Sequence, residues 1–248
     1  FAQAYNSLGI RLVELNRAGE AEIVYKKAIK VKPNYPEAYN NLGIVQKLLG
    51  KIEDSLISYN HAYSLKPDIN FLLGTLLHVK MYLCIWDDLT KNLNELIERI
   101  HNGEKVSPPF PMLSLLDEPN LQKKTAEIFS VTEFPKSNIF SKITYYDNHQ
   151  KIRVGYFSAD FKNHPVSRLI AELFETHDRK KFEIHAFSFG LETQDEFNIR
   201  IKKGVDYFHS IQAMSDYEVV KLTRYLEIDI AIDLSGFTGG NRQNIFAM

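Results

Sequence analysis

The sequence predicts two architectures joined in one chain: α-helical repeats over residues 1–101, then an α/β domain on a parallel sheet over residues 151–248, with a connector over 102–150. Two observations predict this. Residues 1–67 repeat themselves at an interval of 34 positions, and residues 151–248 alternate apolar, β-branched runs with amphipathic ones.

The repeat rests on six coincidences. Leu8-Gly9 returns as Leu42-Gly43, Tyr5 as Tyr39, Tyr25 as Tyr59, Ala28 as Ala62 and Pro33 as Pro67, each pair 34 apart. Small residues at Gly9, Ala21 and Ala28 let two helices approach, tyrosines fill the space around them, and Pro33 stops the second helix. This is the pattern of the tetratricopeptide repeat (TPR). A further step of 34 puts Leu76-Leu77 at the Leu-Gly position and His101 at the proline, so the third copy keeps its helical periodicity and loses its small packing residues. Terminal repeats change in this way because they face something other than another repeat.

In the connector, apolar positions at 89, 93, 96, 97 and 100 predict a helix over 88–100. Prolines 108, 109 and 111 are expected to break the chain, with Trp86 and the Phe110–Leu116 cluster packing the connector. A second helix is expected over 120–129 and a loop over 130–150, which carries Pro135, two asparagines and paired tyrosines.

The stretch KIRVGYFSADFKNHPVSR organises the second domain. A buried strand over 152–157 stops at Ser158-Ala159-Asp160 and delivers Asp160, Asn163, His164 and Pro165 into the turn before a helix. That helix, over 166–177, carries apolar positions at 166, 169, 170, 173 and 174. Strands follow over 182–189, 205–211 and 228–234, separated by helices over 195–203 and 216–226, which is the order of a doubly wound sheet. The last strand ends in Ser235-Gly236-Phe237-Thr238-Gly239-Gly240, where Gly236 permits a tight turn and Thr238 offers a hydroxyl. Ligands of open α/β sheets bind at such strand ends, and histidine exchanges protons near neutrality, so His164 is the first candidate for chemistry. Asp160 or Asn163 could instead serve only to cap the helix.

Composition narrows the function further. Thirty basic against 31 acidic residues give a net charge of −1, which excludes a bulk attraction to nucleic acid or an anionic membrane. The most apolar window, 71–86, is short for a membrane span and contains His78 and Lys80. Cys84 stands alone, so there is no internal disulfide framework, and a reducing, cytoplasmic setting is expected. The remaining histidines lack metal-ligand spacing, Asp229 and Asp233 do not form a D-x-D motif, and no glycine-rich dinucleotide fingerprint or phosphate loop follows a strand; no metal or cofactor is expected. The chain opens at Phe1 inside a helical pattern and ends on the apolar run 245–248, so it reads as a piece of a longer polypeptide.

Three stretches then share one likeness. RVGYFSADFKNHPVSRLIAELFETHD, FEIHAFSFG and IDIAIDLSGFTGGNRQNIFA resemble the first half of the catalytic region of protein O-linked N-acetylglucosamine transferases, in the bacterial SPINDLY-like branch. The repeats, and the connector segments MYLCIWDDL and PPFPMLSLLDEP, are similar to that branch as well. The resemblance implies an inverting GT-B glycosyltransferase, with residues 151–248 as the Rossmann-like first lobe. Such enzymes move a sugar from UDP-N-acetylglucosamine to Ser or Thr of proteins presented through the repeats. It implies a catalytic base at His164, with Asp160, Asn163, Pro165, Gly236, Phe237 and Thr238 lining the substrate cleft. It also implies that the donor-binding lobe lies beyond residue 248, so these residues alone are expected to be inactive. The alternatives are a non-catalytic TPR interaction scaffold and an O-fucosyltransferase of the same family.

Overall fold

Two helices pack as closely as their smallest facing residues allow. In the first repeat, a Cβ on Gly9 of α1 (Ala2–Glu14) would stand 2.4 Å from the Tyr25 ring of α2 (Ala18–Val31). In the second, a Cβ on Gly43 of α3 (Pro36–Leu48) would stand 2.7 Å from Tyr59 of α4 (Ile52–Leu65). Tyr25, Tyr59, Ala21, Ala28, Ala38 and Ala62 are all buried, as the period predicts. α2 and α4 each end two residues before a proline, Pro33 or Pro67, which cannot continue a helix.

The computed structural model describes residues 1–141, 146 and 149–248, in two units, 1–133 and 134–248. In unit 1 the third pair, α5 (Leu72–Tyr82) and α6 (Leu89–His101), is followed by α7 (Pro109–Leu115) and α8 (Pro119–Glu133). The prolines begin α7 rather than break the chain, because a first-turn proline has no N–H to lose. Leu73, Leu77, Leu96, Ile100, Met112, Leu115 and Leu121 form one core, so the helical unit runs on to Glu133 through residues read from sequence as connector. Trp86 and Phe110 contribute little to it, being 52% and 51% exposed; Met112 and Leu115 fill the space instead. Of the loop expected over 130–150, residues 142–145 and 147–148, with Tyr145 and Asn148 among them, lie outside the described residues, and α8 already covers its first four positions.

Unit 2 alternates β1 (Ile152–Ser158), α9 (Pro165–Thr176), β2 (Phe182–Ser188), α10 (Glu196–Gly204), β3 (Tyr207–Ser210), α11 (Asp216–Tyr225), β4 (Ile230–Asp233) and α12 (Asn244–Ala247). All strand pairs are parallel, in the order β3-β2-β1-β4. Alternation along each strand divides the core. Val154, Tyr156, Ile184 and Ala186 meet Ala171 and Phe174 of α9 and Ile201 of α10. Phe157 and Phe187, on the other face, meet Val219 and Val220 of α11 and Ile245 of α12. Helices therefore cover both faces.

One local expectation needs correction. α9 buries Ser167, Ala171 and Phe174, and Leu169 is 82% exposed. Its sequence carries two overlapping stripes at helical spacing, and the one with small residues takes the sheet because it packs closer. Among the described residues β4 pairs with β1 alone, and Ile230 is half-exposed. No helix among the described residues is long and apolar enough to cross a membrane.

Candidate functional site

The chain steps from β1 outward to β2 and β3, then crosses back to lay β4 on the other side of β1. The strand order thus reverses between β1 and β4, and the connections leaving their carboxyl ends go to opposite faces. A crevice opens at such a switch point. Here it is flanked by two turns, one carrying Asp160–Pro165 and the other Gly236–Thr238, held in register by Phe157 opposite Asp233 and by the Leu234 N–H donating to the Phe157 carbonyl at 3.0 Å.

The first turn is built almost entirely by side chains bonding to backbone. Ser158 Oγ accepts the Asp160 N–H at 3.0 Å, and the Ser167 hydroxyl donates to the Asp160 carbonyl. Arg168 donates to Asn163 Oδ1 at 2.9 Å, and Asn198 Nδ2 donates to the Phe161 carbonyl at 2.7 Å. Neither Asp160 nor Asn163 caps α9. His164 does, with extended backbone and its Nδ1 accepting the Val166 N–H at 3.3 Å, while Pro165 takes the first helical position. The ring is 39% exposed, and Nδ1 also lies 3.7 Å from Asp160 Oδ2. Nε2 makes no hydrogen bond among the described residues.

In the second turn Gly236 has φ +52°, and a Cβ there would meet nothing within 4 Å, so the glycine serves backbone conformation rather than close packing. Asp233 sets this turn: Oδ1 accepts the Ser235 N–H at 2.9 Å and Oδ2 the Gly236 N–H at 3.0 Å, with Gln243 Nε2 donating to the same oxygen and to the Gly236 carbonyl. Thr238 donates its hydroxyl to the Ser235 carbonyl at 2.6 Å, so its oxygen is exposed as an acceptor. Phe237 is partly buried beside it.

Asp160 and His164 are thus in direct contact, Asn163 and Pro165 frame them, and Gly236, Phe237 and Thr238 form the neighbouring turn. The sequence reading missed Ser158, Asp195, Asn198, Asp233 and Gln243. An aspartate at a strand end before Ser-Gly is an Asx-turn signal and could have pointed to Asp233. Asn198 acts across 37 residues, on the Phe161 carbonyl, and no local pattern signals that. Asp195 caps α10, accepting the Phe197 and Asn198 N–H groups at 3.0 Å each. Its carboxyl is held down at about 2, first by the Thr193 hydroxyl and also by the N–H groups of Asn198, Asn163 and Phe197. No group of three or more His, Cys, Asp or Glu side chains gathers as a metal site among the described residues.

Comparison with known proteins bears on what this crevice is. The family model described as Glycosyl transferase family 41 matches residues 83–248, two thirds of the chain. The chain belongs to glycosyl transferase family 41. TPR models match residues 9–50 and 36–69. Among the family's curated members, the chain is 28% identical over 188 residues to the probable UDP-N-acetylglucosamine–peptide N-acetylglucosaminyltransferase SEC of Arabidopsis thaliana, covering 70% of this chain and 19% of that protein. It is 26% identical over 185 residues to the UDP-N-acetylglucosamine–peptide N-acetylglucosaminyltransferase of Caenorhabditis elegans, covering 67% and 16%. An O-GlcNAc transferase mutant of Thermobaculum terrenum has the same fold, with a TM-score of 0.63 and 21% identity over 99% of this chain and 48% of that one. The chain spans under a fifth of the length of the curated relatives and about half that of the solved structure.

Proposed function

We propose that this chain is the repeat-bearing first part of a protein O-N-acetylglucosaminyltransferase. Its α/β unit is the first lobe of a GT-B enzyme, and its repeats present the acceptor protein in the cytoplasm. Family membership and the two transferases it resembles support the reaction class, and the relatives named for that activity support UDP-N-acetylglucosamine as donor over a fucosyl donor. The observation that carries the site is the half-exposed imidazole of His164 at the switch point, with one nitrogen engaged and the other free.

The chemistry is a displacement. The acceptor hydroxyl oxygen bonds to the anomeric carbon, the bond from that carbon to the diphosphate oxygen breaks, and its electron pair leaves with UDP. The hydroxyl proton needs an acceptor on the attacking side. His164 Nε2 supplies it when the ring carries its own proton on Nδ1, turned toward Asp160. The 3.3 Å contact with the Val166 N–H is long for a hydrogen bond and is the one given up in that tautomer. The departing diphosphate is balanced by positive groups and helix N-termini, for which a second lobe closing over the crevice provides the place. The wider assignment of a repeat region over 1–101, a connector over 102–150 and a catalytic lobe from 151 belongs to the same reading. The lining roles of Asp160, Asn163, Pro165, Gly236, Phe237 and Thr238 belong to it too.

The test is transfer from labelled nucleotide sugars by the full-length protein, with UDP-N-acetylglucosamine and GDP-fucose as parallel arms. His164→Ala is expected to lower transfer by about 100-fold or more while partner binding by the repeats persists. Transfer at near wild-type rate in that variant would remove His164 from the chemistry, and transfer from the fucosyl donor alone would replace the donor.

A further inference from the structure

Asn198 lies in the first turn of α10, outside the crevice, and is 2% exposed. Its amide donates to the Phe161 carbonyl at 2.7 Å, across 37 residues of sequence, and its Oδ1 is buried with no partner among the described residues. A buried amide satisfied on one side only gains little net stability, because desolvation of the unpaired oxygen offsets the bond it makes. An apolar residue of similar volume would hold α10 against the core as well. What such a residue could not do is grip the Phe161 carbonyl.

That carbonyl sits three residues before His164. The Phe161 ring is anchored in the core, 2% exposed. The turn between Phe161 and the imidazole is therefore held by α10 through the Asn198 amide, while Ser158, Ser167 and Arg168 pin it from its own segment.

We propose that Asn198 is a positioning residue for His164, fixing the direction of the 160–165 turn and so the place of the imidazole. This rests on the reading of His164 as an active-site group. A misplacement of about 1 Å is enough to cost on the order of 100-fold in rate.

The experiment uses the full-length protein with Asn198→Leu, which keeps the volume, and Asn198→Ala. Four quantities are read: kcat and KM for transfer, the melting temperature, and the rate at which diethyl pyrocarbonate modifies His164 relative to exposed His101, by peptide mass spectrometry. The expected result for Asn198→Leu is kcat lowered by about 10- to 100-fold with both KM values within about twofold, a retained melting temperature, and a His164 modification rate changed by about threefold or more. Unchanged kcat and unchanged His164 reactivity in the leucine variant would overturn the proposal. So would a fall in melting temperature with His164 reactivity unchanged relative to His101, which marks a plain packing residue. If His164 reactivity shifts as expected while His164→Ala leaves transfer intact, the positional coupling stands and the catalytic reading fails. If His164→Ala abolishes transfer and Asn198→Leu moves neither kcat nor reactivity, only the positioning role fails.

Discussion

The first two repeats and the site end of the sheet differ in what closes over their glycines. In the repeats, the space over Gly9 and Gly43 is filled by the rings of Tyr25 and Tyr59, side chains that recur every 34 residues. In the α/β unit, a Cβ on Gly190, just after β2, would stand 1.9 Å from the carbonyl oxygen of Ala159, at the start of the turn that leads to His164. A ring can rotate or be replaced, but a backbone carbonyl one residue past a sheet strand cannot. The repeat unit is therefore built from exchangeable contacts, and the site end of the sheet from contacts that admit one residue.

Substituting the two kinds of glycine is the sharpest way to break this contrast. Gly190→Ala is expected to destabilise unit 2 by about 3 kcal/mol or more, since relief requires moving either the Ala159 carbonyl or the end of β2, where the Phe189 N–H donates to Ser158 at 3.1 Å. Calorimetry should show a melting transition lowered by roughly 10 °C, and a fall of only a degree or two would mean the loop yields easily. Gly43→Ala should cost less, on the order of 1–2 kcal/mol, because overpacking against Tyr59 is offset by about 1 kcal/mol of helix propensity. Adding Tyr59→Leu to Gly43→Ala should recover part of that loss relative to the sum of the two single changes. A double variant no better than additive would show that the repeat core is as unforgiving as the sheet end.

The same contrast explains what was legible in the sequence. Side-chain packing that repeats writes itself into the sequence as a period, so Gly9, Tyr25, Ala28 and their copies could be read directly. The alternation of strands and helices after residue 151 was equally plain, and with it the place of His164 at a strand end. What sequence did not show was the support of the site. Asn198 is 37 residues from the carbonyl it holds, and the two residues of the Arg242–Ile211 bond are 31 apart. Neither pair has a spacing rule, because the intervening strand and helix lengths are set by the fold. The face of α9 was misread for a related reason: local periodicity gives a stripe, and tertiary order decides which stripe is covered.

Acid offers a gentler separation of the two units. On the α11 face of the sheet, His209 Nε2 lies 3.1 Å from His185 Nδ1, with the His209 ring stacked on Phe187 at 4.7 Å and His185 bonded to Glu183 at 2.9 Å. Burial, and then the neighbouring His185, push the His209 imidazole down to about 4 from its ordinary 6.5. The unfolded chain then binds a proton that the folded one refuses. Its contribution to stability is whole above 6.5 and shrinks as the pH falls toward 4, by roughly 1–2 kcal/mol after allowance for the partly exposed ring. In the repeats the corresponding group is Glu22, buried and bonded by Lys26 and Lys51 at 2.7 Å each, which hold its carboxyl below the ordinary 4.5. That contribution is complete above 4.5 and is lost only as the pH falls through the lowered value. Between pH 6.5 and 5, then, protection factors against hydrogen exchange should fall more in the core strands of unit 2 than in α2 and α4, since over that interval unit 1 loses only the smaller contribution of His78, which burial lowers from 6.5. His209→Phe, which keeps the stack on Phe187, should flatten the response of unit 2. Equal weakening of both units over that interval, or an unchanged slope in the phenylalanine variant, would assign the acid sensitivity elsewhere.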